Sequence, residues 1–147
     1  MELDEILYHA LLANAAIVAA TEGRIYSTCV EAPKFDADNT QAPFIVVMDD
    51  GYDNDLGTKD TLWESDMDHV KASVVITGNS REQAGQLRRM IRKAISDYIA
   101  TLDEIPYLTS AKNEGIRWNN IEFYYDDMIT YQCDMANHLY DYGQEES

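Results

Sequence analysis

The chain has 147 residues, 46 % of them apolar and 26 % charged, and a formal net charge of −16. That length and composition fit one globular domain spanning 1–147, able to bury a core without staples, and they exclude wholesale disorder. So negative a charge excludes binding a nucleic-acid backbone by neutralising its phosphates, which needs clustered Lys and Arg; it suits solubility, a basic partner, or a surface past which a polyanion slides without sticking.

The opening MELDE is acidic where a signal peptide is basic, so no export signal is expected. Leu3, Ile6, Leu7, Ala10 and Leu11 recur at helical spacing, with Glu2, Asp4 and Glu5 placed favourably in the first turn. Asn14 interrupts this helix, and Ala15 to Ala20 suits a second short turn of helix. The run Ala10 to Ala20 is too short to span a bilayer. Arg24 to Val30 alternates as a first strand, with Ile25, Ser27 and Cys29 on one side. Glu31 to Ala42 holds Pro33, Asp36, Asp38 and Asn39, which is loop chemistry.

Phe44 to Met48 (FIVVM) reads as a second strand. Asp49 to Asp68 then carries eight acidic residues against Lys59 and reads as a long exposed connection between two antiparallel strands. His69 to Leu102 organises the fold. Val70, Ala72, Val74 and Ile76 share one face of a strand, and Gly78-Asn79 makes a turn. Ser80 and Gln83 form a capping box for a helix whose apolar stripe runs through Ala84, Leu87, Ile91, Ala94, Ile95, Tyr98 and Leu102. Its flank carries Arg81, Arg88, Arg89, Arg92 and Lys93. Such a flank is commonly a solvated helix face. In so acidic a chain it also suits docking against an acidic surface, with Asp49, Asp50, Asp53 and Asp55 of the connection as partners.

Asp103 to Asn113 reads as a loop around Pro106. Ile116 and Trp118 alternate, Asn119-Asn120 breaks the phase through a bulge or a tight turn, and Asp126-Asp127 turns the chain into a last strand, Met128 to Tyr140. There Ile129, Tyr131, Cys133 and Met135 share a face, and residues 143–147 form a frayed tail. The tally is an α+β fold: a mainly antiparallel sheet of four to five strands with two helices packed on one face.

No catalytic constellation emerges. His9, His69 and His138 form no zinc-binding pair, no phosphate loop or nucleophile elbow occurs, and Cys29 and Cys133 suit free buried thiols in a reducing compartment. Asp53, Asp55 and Glu64 match three places of a calcium loop, but Thr58 stands where that loop needs glycine, so a solvated charge run fits better. No metal, cofactor or catalytic residue is expected. Tyr124, Tyr125, Tyr131, Tyr140 and Tyr142 crowd the C-terminal part, which suits either a sheet or an interface.

The order of parts resembles phage tail terminator (tail-completion) proteins over nearly the whole chain. The resemblance is carried by the RIY strand, by Pro43-Phe44-Ile45-Val46-Val47 and by the block VKASVVITGNSREQAGQLRRMIRKAI. It implies a non-enzymatic virion protein, made in the bacterial host cytoplasm during assembly. That family forms a hexameric homo-oligomer, a ring that caps the tail tube and meets the head connector, and the tail-tube and connector proteins would be its partners. Neither membrane association nor sequence-specific nucleic-acid binding is implied. An acidic lining would let DNA pass such a ring without sticking. The competing class is an acidic inhibitor or DNA mimic that occupies a basic nucleic-acid-binding partner, but the basic helix flank would interrupt its negative face.

Overall fold

The computed structural model describes residues 2–27, 42–54, 67–102, 108–121 and 123–136. Helix α1, Leu3–Leu12, buries Leu3, Ile6, Leu7, Ala10 and Leu11 to 1 % exposure or less, as their spacing requires. Asn14 ends it and starts the next helix. Its side chain accepts a hydrogen bond from the backbone N–H of Ile17 at 3.0 Å, capping α2, Ala15–Thr21, which bends 84° from α1. Among the described residues no single helix is long and apolar enough to cross a membrane. Glu22 and Gly23, both at positive φ, turn the chain into β1, Ile25–Ser27. Ile25 and Ser27 face inward as the alternation predicts, while 28–30 of the expected strand lie outside the described residues.

Strands β2, Phe44–Asn54, and β3, Met67–Gly78, pair antiparallel, and β1 lies parallel to β2 with Ile25 opposite Ile45. The connection expected over 49–68 is therefore shorter at both ends. Asp49 to Asn54 continue β2, and Met67 and Asp68 already belong to β3, so only 55–66 lie outside the described residues. Acidic residues are poor strand formers, but a bulge carries the ladder through them. Asp49 opposes Ala72 and Tyr52 opposes Val70, so β2 holds one extra residue there. Gly51 takes φ +86° at the bulge, and its N–H is held by the Asp49 carboxylate at 2.8 Å.

Helix α3, Arg81–Ile99, follows the Gly78-Asn79 turn. Ser80 Oγ accepts from Gln83 N–H at 3.1 Å, and Gln83 Oε1 accepts in return from Asn79 N–H at 2.7 Å, one residue further back than a standard box. Residues 103–107 lie outside the described residues, and beyond them Leu108–Asn113 forms β4 rather than the expected loop. Strand β5, Arg117–Asn119, and strand β6, Tyr124–Ala136, make a hairpin. Of the two readings of Asn119-Asn120, the turn is the one found: Asn119 C=O accepts from Phe123 N–H at 2.8 Å.

Asp126 and Asp127 do not turn the chain. They sit inside β6, opposite Thr77 and Ile76 of β3. The sheet runs β1-β2-β3-β6-β4, with β5 also on β6, so the α+β, mainly antiparallel expectation holds with six strands and three helices among the described residues. The added strand is β4, while α2 and β5 answer to the short helical turn expected over Ala15 to Ala20 and to the alternation of Ile116 and Trp118. Helices α1 and α3 share one core with Ile45, Val47, Val74, Ile76 and Ile129 from one face of the sheet. Each such side chain contributes about 1.5–3 kcal/mol on burial. Among the described residues no helix or strand covers the other face of the central strands.

Candidate subunit interface

The two faces of the sheet differ in chemistry. On the helix side, the flank expected to be uniformly free is not. Arg88 is drawn inward, with its Nη1 donating to Asp127 Oδ2 at 3.2 Å and to Asn113 Oδ1 at 2.9 Å. Asp127 is 2 % exposed, and its other oxygen accepts from Asn113 Nδ2 at 2.9 Å and Met128 N–H at 2.8 Å. A carboxylate on the apolar phase of a strand needs such partners, because a buried charge without them is strongly unfavourable. The signal was legible: continuing the alternation of Ile129, Tyr131 and Cys133 backwards puts Asp127 inside.

Lys93 pairs with Asp97 on its own helix at 2.9 Å. Arg81, Arg89 and Arg92 are exposed and form no ion pair among the described residues. Arg81 and Arg89, together with Gly85, Arg88 and Ile116, line a shallow depression of about 450 Å³. Arg92 acts electrostatically on Tyr131, a buried tyrosine whose Oη has no hydrogen-bond partner among the described residues. Burial pushes the Tyr131 phenol up to about 12, and the Arg92 charge pulls the other way. Beside it Cys133 is a buried free thiol, as expected, pushed up to about 11 by burial and then by the neighbouring Asp134 charge. Cys29, Tyr140 and Tyr142 lie outside the described residues.

The β5–β6 hairpin carries exposed aromatic surface beside that basic depression. Trp118 is 51 %, Ile121 82 % and Phe123 69 % exposed. The Trp118 ring lies 4.8 Å from Tyr125 and 6.2 Å from Phe123. Trp118 pairs with Tyr125 in register, which places both on the helix side of the sheet, continuing the inward phase of Asp127 and Ile129. Phe123 holds φ +62°, unusual for a bulky residue and set by the turn bond to Asn119.

The open face carries a groove of about 510 Å³ with an apolar floor of Phe44, Val46, Met48, Val75 and Met128. The Phe44 ring meets Tyr124 edge-on at 6.3 Å. FIVVM is apolar on both phases of the strand, and that continuous run was the sequence signal for a second contact face. Acids edge the groove. Asp126 accepts from Thr77 Oγ1 and from Asn119 Nδ2, both at 3.3 Å, and Glu114 pairs with Arg117 at 3.6 Å.

Of the acidic residues expected to dock, Asp49 holds the bulge and Asp50 accepts a hydrogen bond from Ser73, while Asp53 meets Lys71 at 3.5 Å. Asp55, like the rest of the calcium-loop match from that residue to Glu64, lies outside the described residues. His69 stands on the open face with Nδ1 2.6 Å from an Asp134 carboxylate oxygen. Among the described residues no group of three His, Cys, Asp or Glu side chains could hold a metal ion.

No protein-family model matches the chain, and no curated protein matches it in sequence. Among solved structures, it is similar to a chain of the virion of a native gene transfer agent particle, at 14 % identity and a TM-score of 0.48. That match covers 89 % of this chain and 92 % of the other.

Proposed function

We propose that the chain is a structural protein of a phage-like virion, a tail terminator or tail-completion factor. In this role six copies form a ring that caps the tail tube and meets the head connector. The sequence resemblance suggests the role, and one structural observation supports it: the segregation of charge. Five of the eleven Lys and Arg residues lie on α3, in a chain whose net charge is −16. An acidic edge on the open face and a basic, aromatic surface behind it suit repeated contact between copies. The surplus negative charge also suits a channel for DNA, because like charge keeps phosphates from binding.

The reading makes the protein non-enzymatic and places it in the virion, with assembly in the host cytoplasm. Its test is the mass of the purified chain by size-exclusion chromatography with light scattering, followed by electron microscopy of the main species. A closed ring of six is expected. A chain that remains monomeric at every concentration overturns the reading.

A further inference from the structure

The groove and the aromatic patch lie on opposite faces of the same hairpin. Arg117 and Tyr124 help line the groove, while Trp118 and Tyr125, their neighbours in sequence, carry the aromatic patch on the helix side. We propose that these are the two halves of one interface between copies of this chain: the Trp118, Ile121 and Phe123 knob of one copy fills the Phe44, Val46, Met48, Val75 and Met128 groove of the next. The inference rests on the ring reading above and names the surfaces that build it.

Three observations converge on a second copy as the occupant. The knob exposes one indole, one phenyl and one branched aliphatic chain together at a hairpin tip, a composition typical of the buried centre of an interface. The groove is concave, floored by half-buried apolar side chains, and beyond Phe44 its floor is not closed by an element of the described chain. The charges beside the two surfaces are opposite. Arg81 and Arg89 outnumber Glu82 in the depression next to Ile116 on the knob side, and Glu114 and Asp126 outnumber Arg117 at the groove. Docking the knob thus brings exposed cations toward acids, which sets register and speeds encounter while the apolar contact supplies affinity.

The geometry also decides the kind of assembly. A two-fold dimer makes every contact twice, so it would need knob and groove side by side on one face. Here the joined patches are unlike and back to back, so each copy that docks leaves one groove and one knob open. Such a head-to-tail contact closes into a ring or runs on as a filament; it does not stop at two.

The experiment uses the full chain and two sets of variants. The knob variant is Ile121→Asp with Phe123→Asn: both side chains are largely exposed, and asparagine tolerates the positive φ at 123. The groove variants are Val46→Glu and, separately, Met48→Glu, each checked for folding by circular dichroism. Light scattering then reads mass for each protein and for an equal mixture of knob and groove variants. The proposal expects self-association of the knob variant, and of any folded groove variant, to weaken by at least about tenfold, leaving monomers. It expects the mixture to form a dimer and nothing larger, because each member keeps one working surface of opposite kind. A knob variant that assembles like the wild type overturns this interface and leaves the ring reading standing. A mixture that remains monomeric, beside a wild type that assembles, overturns the pairing of knob with groove. If the wild type forms open filaments and the mixture still gives dimers, the interface stands and the closed ring falls. A wild type that is monomeric, or that stops at a dimer, overturns both.

Discussion

Arg88 and Asp127 join α3 to the middle of β6, with guanidinium nitrogen and carboxylate oxygen 3.2 Å apart and the carboxylate side chain fully buried. Asn113 of β4 bonds to both, so three elements meet at one buried charge. Removing the cation leaves that carboxylate with neutral donors only. Arg88→Met, which keeps the stem, should therefore lower stability by about 1–3 kcal/mol, since hydrogen bonds to charged groups are worth about that much. Arg89→Met, on the exposed flank, should stay within about 0.5 kcal/mol. Urea midpoints of the two variants compare them directly, and equal midpoints would refute the distinction.

The apolar stripe of α3 supplies a second expectation. Leu87 is 2 % exposed and Ile91 is fully buried against the sheet. Truncating either to alanine removes buried methyl groups and leaves a cavity, which should cost about 2–5 kcal/mol. Chemical denaturation measures it; an unchanged midpoint would mean that the helix does not press on the core at these positions.

Gly51 sits at φ +86° in the bulge that carries β2 through its acidic end. A Cβ there meets no atom within 4 Å, so Gly51→Ala isolates the conformational cost from any clash. A loss of about 1–2 kcal/mol is expected, the cost of holding an L-residue in left-handed backbone. Amide exchange of Tyr52 to Asn54 should rise in the same variant.

Alkaline pH should destabilise the fold through Cys133 and Tyr131. Both are neutral when protonated, and burial raises both, the thiol from 9.0 to about 11 and the phenol from 10.0 to about 12. The unfolded chain therefore releases these protons first. Their contribution is complete below the unfolded values and is lost as pH rises through the folded ones, at about 1.4 kcal/mol per pH unit for each titrating group. Thermal melts between pH 9 and pH 12 should show falling stability, and Cys133→Ala should flatten the first part of that fall.

Charge on α3 should act on assembly rather than on folding, provided Arg88 is spared. Reversing Arg88 with its neighbours would set a carboxylate against buried Asp127, so loss of assembly in that variant could reflect misfolding. Arg81→Glu, Arg89→Glu and Arg92→Glu together should leave the urea midpoint nearly unchanged and weaken self-association. Added salt should weaken wild-type assembly in the same direction, with a Debye length of about 10 Å at 0.1 M. Assembly of the triple variant at wild-type strength would make these arginines a solvated face.

Local pattern by itself determined much of this protein. The stripe of α3, its Ser80–Gln83 cap, the Asn14 break between α1 and α2 and the inward phase of β3 all follow from spacing, because helix and strand periods sort side chains without knowledge of neighbours. Three matters depended on tertiary contacts. Asp49 to Asn54 and Leu108 to Asn113 look like loop in isolation and become strand only because β3 and β6 offer them paired edges. Arg88 looks like its neighbours on α3 until β6 brings Asp127 beneath it. The groove, finally, is assembled from residues up to about eighty positions apart, from Phe44 on β2 to Met128 on β6. A surface of that kind exists only once strand order and register are set, because pairing, and not local propensity, decides which residues stand on the open face.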